Sequence, residues 1–152
     1  MNNSMLGAHV LVASEALATI VRHGVNLDDA LDAINSSSGR SLVTEKRFPI
    51  NVVGGETYGF KLGMHCKDME NALMTIRAAS GQHGREAASA GGVAAKAPTA
   101  PIPSPMLHLA HDLMNMARQH MGEDVEHVET VRLAERAHGI SFLRNKDTKP
   151  RI

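Results

Sequence analysis

The stretch NNSMLGAHVLVASEALATIVRHG, residues 2–24, decides the fold class of this 152-residue chain. Its apolar residues recur at three- and four-residue spacing, which is the period of an α-helix, and Gly24 is a natural residue to follow the last turn. The opposite face is also apolar, so we expect the helix to be buried on most sides, in a core or against another subunit. Because His9, Ser14 and Glu15 interrupt the stretch and no basic leader or small-residue cleavage site accompanies it, we predict neither a membrane span nor an export signal.

The composition is that of an ordinary globular domain with a neutral surface. Sixteen basic residues balance sixteen acidic ones, and no basic stripe is present, so nucleic acid is excluded as a partner class. Cys66 is the single cysteine; it rules out an internal disulfide and suits a reducing compartment, for which we expect the cytoplasm. With three Phe, one Tyr, no Trp and nine Met, the core should consist of aliphatic residues and methionine, which favours packed helices over strands.

Further helical periods follow along the chain, and no segment shows the alternation of a strand. We predict helices over Asn26–Ile34, Ser41–Lys46, Leu62–Ala79, Met106–Gly122 and Val125–Gly139. The short helix at Ser41–Lys46 should end before Pro49, and a loop should follow it as far as Tyr58. Gly, Ala, Ser and Pro replace periodic apolar residues between these helices at about 81–102, which predicts a flexible insertion. The expected fold is a single all-α domain of about five to seven helices over residues 1–143, followed by a charged tail, 144–152.

Three short motifs could carry chemistry, although each has an ordinary structural interpretation when taken alone. Asn2-Asn3 before a helix is an N-cap and its solvated neighbour. Phe60 is a core aromatic, and Lys67-Asp68 is a charged pair on a helix, with Glu70 as the plausible partner of the lysine. The turn Ser37-Ser38-Gly39-Arg40 is a polar helix-breaking turn to which we assign no chemistry.

Taken together and at these separations, the motifs resemble the C-terminal domain of the β-hydroxyacid dehydrogenase family. This is the family of 3-hydroxyisobutyrate dehydrogenase, and its C-terminal domain has a fold like that of 6-phosphogluconate dehydrogenase. The resemblance runs from Asn2 to about residue 80 and weakens beyond. It implies that Asn3, with Asn2 beside it, binds the substrate. It also implies that Lys67 reaches the cofactor, NAD or NADP, near the nicotinamide, and that Phe60 borders the same site.

The resemblance also implies groups that the 152 residues do not contain. In the family the catalytic lysine stands three residues before the first Asn, which places it two residues upstream of Met1. The clusters Gly54-Gly55 and Gly91-Gly92 lack the Gly-x-Gly-x-x-Gly spacing that holds a dinucleotide. We therefore expect no catalytic residue in this chain, no tight binding of NAD or NADP by the chain alone, and inactivity without an N-terminal Rossmann domain. For a full-length protein the mitochondrial matrix is an alternative to the cytoplasm.

Other interpretations stay open at the sequence level. The first helix is apolar enough to predict a homo-oligomer, or a non-catalytic interaction or scaffold domain that keeps the dehydrogenase fold. An unrelated helical bundle with matching motifs is the remaining alternative. Nine histidines invite a metal site, but no acidic or cysteine ligand falls at a site-forming spacing beside His108 and His111, so we predict none.

Overall fold

The computed structural model describes residues 1–79 and 103–143, and within these ranges the chain is helical without a strand. The helices are α1 (Asn2–Arg22), α2 (Leu27–Asn35), a π-helix (Val43–Val53), α3 (Leu62–Ala79), α4 (Pro105–Met121), a 3₁₀ turn (His127–Thr130) and α5 (Val131–His138). The predicted all-α fold is therefore confirmed. The expected insertion at about 81–102 and the tail at 144–152 lie outside the described residues.

Helix α1 lies at the centre and packs against every other described helix. One of its faces joins α2, the π-helix and α5 in a core that contains Val10, Leu17 and Phe48. Another face joins α3 and α4 in a second core around Leu11 and Leu62. By length and composition alone α1 could also span a bilayer. Its place between two cores accounts for the same apolar composition. The prediction of a long N-terminal helix is confirmed, but the helix is not buried on most sides, because Met5 and Val12 on its opposite face are exposed.

The start of α2 and the ends of α1 and α5 follow the predicted caps, whereas the cap expected from Asn2-Asn3 is not formed, because α1 begins at Asn2 and no side chain caps it. The side chain of Asn26 accepts a hydrogen bond from the backbone N–H of Asp28 at 2.8 Å, which caps α2. Gly24 follows α1 with φ of +89°, and Gly139 follows α5 with φ of +62°. Both values lie in the left-handed region that glycine adopts without steric cost.

The helix predicted over Ser41–Lys46 was placed wrongly, because the helical segment continues through Pro49 to Val53 as a π-helix. In a π-helix each N–H bonds to the carbonyl five residues earlier. Since proline has no N–H, only the carbonyl of Thr44 loses its partner, and the side-chain amide of Asn35 donates to that carbonyl at 3.2 Å. The continuation buries Phe48 completely. Its ring meets Phe142 edge-to-face with centroids 5.2 Å apart.

A double-mutant cycle can test whether the side-chain amide of Asn35 replaces the N–H that Pro49 lacks. We expect Asn35→Ala to lower the free energy of unfolding by about 1–2 kcal/mol, because the buried Thr44 carbonyl loses its donor. In a Pro49→Ala background residue 49 regains an N–H, so the same substitution should cost clearly less. Chemical denaturation of the four proteins measures both costs, and equal costs in the two backgrounds would contradict this role for Asn35.

Helices α1 and α3 run in opposite directions and approach closely at Gly7. Asn3 meets Asp68 at one end of the contact, and Leu11 shares a core with Leu62 at the other. A Cβ added at Gly7 would lie 3.1 Å from Sδ of Met69 and 3.2 Å from Nε2 of His65, tighter than ordinary contacts. The absence of a side chain at residue 7 therefore lets the first turn of α1 lie directly against α3.

Candidate functional site

The two polar motifs of the sequence meet where α1 begins. The side-chain amide of Asn3 donates a hydrogen bond of 2.7 Å to a carboxylate oxygen of Asp68, 65 residues further along the chain. Both side chains are partly buried, and the ionised acceptor makes the bond stronger than one between neutral groups. Asn2 lies beside them and its amide donates to Oδ1 of Asn3 at a longer 3.3 Å. The Asn-Asn and Lys-Asp motifs thus form one structural unit.

The backbone of Asn3 is held as well. Nε2 of His65 lies 2.6 Å from the carbonyl oxygen of Asn3. His65 is fully buried on α3, one helical turn before Asp68. Consequently α3 fixes Asn3 at two points, through its carbonyl and through its side-chain amide.

An open cleft of about 470 Å³ lies next to this junction. Its lining is mostly polar and consists of Met1, Asn2, Asn3, Asp68, Asn71, Ala72 and Thr75. Amide and hydroxyl groups at the wall of an open cleft suit a small polar ligand. Of the four residues predicted to form the site, Asn2 and Asn3 line this cleft, whereas Phe60 and Lys67 do not.

Lys67 is exposed on α3, next to Asp68 in sequence. The partnership with Glu70 expected from spacing is not formed, because Glu70 lies 3.7 Å from Nε2 of His111 on α4 instead. Among the described residues no carboxylate pairs with Lys67. Its ammonium is therefore available to a ligand at the protein surface.

Phe60 belongs to an aromatic cluster that the sequence did not indicate. Its ring centroid lies 4.9 Å from that of His65 and 5.2 Å from that of His127. The two imidazoles are 4.8 Å apart, and Tyr58 lies 5.5 Å from His127. Phe60 is only partly buried, so one side of its ring rests on histidine while another part faces solvent. His65 connects this cluster to Asn3.

The segment that carries Phe60 is fixed by Glu126. One carboxylate oxygen of Glu126 accepts from the backbone N–H groups of Gly59 and Phe60, at 2.9 and 3.3 Å. The other lies 3.4 Å from the ammonium of Lys61. The N–H of His127 also donates to the carbonyl of Phe60 at 2.9 Å. These contacts join residues more than sixty positions apart, so no local sequence signal could have identified Glu126.

Comparison with known proteins identifies the family of this chain. The sequence model of the family described as NAD-binding of NADP-dependent 3-hydroxyisobutyrate dehydrogenase matches residues 1–89, more than half of the chain. The chain belongs to this family. The matched part contains Asn2, Asn3, Phe60 and Lys67.

A curated relative matches a longer part of this chain than the family model does. The L-threonate dehydrogenase of Cupriavidus necator is 29% identical over 126 residues, which cover 82% of this chain and 35% of that protein. The chain therefore spans about a third of the length of the relative it matches.

Burial keeps the two histidines of the family member's aromatic cluster neutral. It lowers the pKa of His127 from 6.5 to about 3, with smaller contributions from His65 and from the positive charge of Arg47. Burial likewise lowers the pKa of His65, and the hydrogen bond to Asn3 and the charge of Asp68 oppose that shift. The guanidinium of Arg47 lies 3.4 Å above the ring of Tyr58, a cation–π contact at the edge of the cluster.

Other groups of chemical interest lie away from this junction. Cys66 is fully buried in the core between α3 and α4, as predicted, and burial raises the pKa of its thiol. His108 bonds to Ser104, and His111 to Asn115. Within the described ranges no group of three or more His, Cys, Asp and Glu is arranged to hold a metal ion.

The Asn3–Asp68 hydrogen bond predicts how substitutions that change the charge at these two residues affect the free energy of unfolding. Asn3→Asp places a second carboxylate against Asp68, so we expect a loss of about 1–2 kcal/mol in the free energy of unfolding at pH 7. In an Asp68→Asn background the donor and acceptor simply change sides, so the penalty should largely disappear. Denaturation at pH 7 measures the penalty, and an equal penalty in both backgrounds would rule the bond out.

The low pKa of His127 predicts acid sensitivity of the fold. An unfolded histidine takes up a proton below about pH 6.5, whereas the folded ring stays neutral down to about 3. The unfolded state therefore binds more protons in this window, and stability falls with decreasing pH by about 1.4 kcal/mol per pH unit. His127→Leu should remove this share of the slope, and His120→Gln, at an exposed position, should keep it. The measurement is the free energy of unfolding from pH 7 to 4. Equal slopes for the wild type and His127→Leu would refute the assignment.

Proposed function

We propose that this chain is the C-terminal helical domain of an NAD(P)-dependent β-hydroxyacid dehydrogenase, in which the α1–α3 junction contributes one wall of the active site. The hydrogen bond of 2.7 Å between Asn3 and Asp68 carries the proposal. It joins the two motifs of the family resemblance, and it does so beside an open polar cleft. Family membership supports the reaction class, an oxidation of a hydroxy acid coupled to reduction of a nicotinamide cofactor.

Asn3 is suited to bind the substrate through the part of its amide that Asp68 leaves free. One N–H donates to Asp68, which fixes the plane of the amide. The second N–H remains as a donor toward the cleft, where the carboxylate or hydroxyl oxygen of a hydroxy acid can accept from it. A donor whose orientation is fixed before binding loses little entropy when the substrate arrives. Asn2 supports the arrangement through its contact with Oδ1 of Asn3.

Lys67 and Phe60 have the chemistry that the cofactor requires. The exposed ammonium of Lys67, without a carboxylate partner among the described residues, suits the polar and anionic parts of a dinucleotide. The partly exposed ring of Phe60, backed by His65 and His127, offers a flat apolar surface to an aromatic ring. A bound nicotinamide would supply the hydride acceptor for the carbon that carries the substrate hydroxyl. The glycine-rich grip on the pyrophosphate would come from a Rossmann domain outside these 152 residues.

The antiparallel packing of α1 and α3 suggests where the general base acts. Beyond Asn3 the cleft is lined by Ala72 and Thr75, from the next turns of α3. A helical continuation of α1 would run along this wall, and a lysine four residues before Asn3 would share its helix face. Such a lysine would take the hydroxyl proton as the hydride leaves, a contribution of about 10²–10⁴-fold.

A specific observation favours a second role, in association with another subunit. α1 and α4 form a shallow groove, lined by Ala8, Leu11, Val12, Glu15, Met106, Leu109, Ala110 and Leu113. Three of these are large and exposed: Val12 at 60%, Leu109 at 53% and Met106 at 69%. An exposed apolar surface of this kind is typical of an interface. We propose that a second copy of the chain covers it in the cytoplasm, either in the dehydrogenase or in a non-catalytic interaction domain of the same fold.

The catalytic proposal can be tested by exchange. We would replace the matched region of the Cupriavidus necator L-threonate dehydrogenase by this chain. In this chimera, called the exchanged enzyme, we would follow L-threonate-dependent reduction of NAD(P). Asn3→Ala should lower kcat/KM for the hydroxy acid by about 10–100-fold, the value of a hydrogen bond to a charged group. Lys67→Ala should raise KM for the dinucleotide by about tenfold and leave kcat nearly unchanged. Lys46→Ala, at an exposed position on the π-helix, is the matched control and should stay within about twofold.

A companion measurement uses the chain alone. NADH and NADPH titrated to millimolar concentration should show no saturable fluorescence change, because the proposed pyrophosphate site lies elsewhere; the chain contains no Trp that would obscure the signal. Micromolar binding of NADH or NADPH by the chain alone would contradict the proposal that the pyrophosphate site lies outside it. An exchanged enzyme in which Asn3→Ala and Lys67→Ala behave like Lys46→Ala would contradict the assigned roles.

A further inference from the structure

His65 makes a contact whose direction defines the chemistry of its ring. The carbonyl of Asn3, 2.6 Å from Nε2, can only accept a hydrogen bond. Nε2 must therefore carry the hydrogen, which fixes the Nε2–H tautomer of the neutral ring. Nδ1 is then a bare acceptor, and it is fully buried without a hydrogen-bond partner among the described residues.

The surroundings of His65 preserve this neutral tautomer. Phe60 and His127 pack against the ring with centroids 4.9 and 4.8 Å away. The charged groups nearby are Asp68 on the same helix and Arg47, which reaches the cluster from the π-helix beside Tyr58. Burial lowers the pKa of His65 and outweighs the opposing effects of Asp68 and the Asn3 carbonyl. A neutral donor with one defined direction results.

Plain core packing does not explain the ring. A fully buried leucine at residue 65 would fill the space without leaving an unpartnered nitrogen in the core, which is costly. In addition, Gly7 leaves just enough room for the imidazole, since a Cβ there would lie 3.2 Å from Nε2. The histidine and the glycine together bring a hydrogen-bond donor to the carbonyl of Asn3.

We propose that His65 is a positioning residue for Asn3: its Nε2–H holds the Asn3 carbonyl while Asp68 holds the side-chain amide, so that the substrate-facing N–H has one direction. The assignment of a substrate to Asn3 rests on the proposed function, whereas the positioning itself is a property of the chain. Without the His65 contact, the backbone of Asn3 in the first turn of α1 can shift relative to α3, and misplacement of the amide by about 1 Å costs up to about 10²-fold in rate.

The test compares two replacements of His65 in the intact chain by nuclear magnetic resonance. His65→Gln keeps an N–H donor at a similar reach, and His65→Leu removes it. In the wild type, imidazole nitrogen shifts should report the Nε2–H tautomer, and the Asn3 side-chain amide should give resolved, slowly exchanging signals. His65→Gln should retain those amide signals, and His65→Leu should move them toward the shifts of solvent-exposed asparagine. Met69→Ala loosens the same helix contact at Gly7 but leaves both bonds of Asn3, so it should keep the wild-type pattern.

The same variants in the exchanged enzyme connect position to rate. His65→Leu should lower kcat/KM for the hydroxy acid by about 10–100-fold with an unchanged KM for the dinucleotide, and His65→Gln should recover activity to within about threefold. Unchanged Asn3 amide signals in His65→Leu would overturn the proposal whatever the activity. The Nδ1–H tautomer in the wild type would overturn it as well. If the amide signals respond as expected and no variant affects turnover, the positioning stands and the proposed function fails.

Discussion

The close approach of α1 and α3 at Gly7 is the constraint on which the rest of the site depends. Because residue 7 carries no side chain, Met69 and His65 occupy the space that a Cβ would need. The contact brings Asn3 within hydrogen-bond distance of Asp68 and lets His65 reach the Asn3 carbonyl. Glycine costs about 1 kcal/mol in a helix relative to alanine, and the tertiary contacts offset that local cost. The site is thus a consequence of helix packing rather than of a loop.

Around this contact, polar groups lie on the side of the cleft and aromatic groups lie behind them. Asn3 and Asp68 lie beside the open cleft and present hydrogen-bonding groups to it. Behind them His65 and His127 are buried and neutral, and they support the ring of Phe60. Glu126 fixes the backbone on the far side of that ring through two N–H groups. Groups near solvent can bind a ligand, while the buried groups determine where those ligand-binding groups point.

How much the sequence predicts depends on the range of the interaction. Helical periodicity identified α1, α3 and α4, and the caps at Asn26 and Gly24 are local signals that the structure confirms. The sequence did not predict the π-helix through Pro49, because the hydrogen bond that makes up for the missing proline N–H is donated by Asn35, fourteen residues earlier. Asn2, Asn3, Phe60 and Lys67 were identifiable only through the family resemblance. His65, His127 and Glu126 gave no signal, since their roles depend on contacts between residues about sixty positions apart.

We propose that the α1–α3 junction forms one wall of a dehydrogenase active site, and the coding DNA immediately upstream of the Met1 codon offers a test of this role. We expect an open reading frame with a lysine codon three positions before that of Asn2 and, further upstream, a segment that encodes Gly-x-Gly-x-x-Gly. An in-frame stop codon between Met1 and any such segment would contradict the catalytic role.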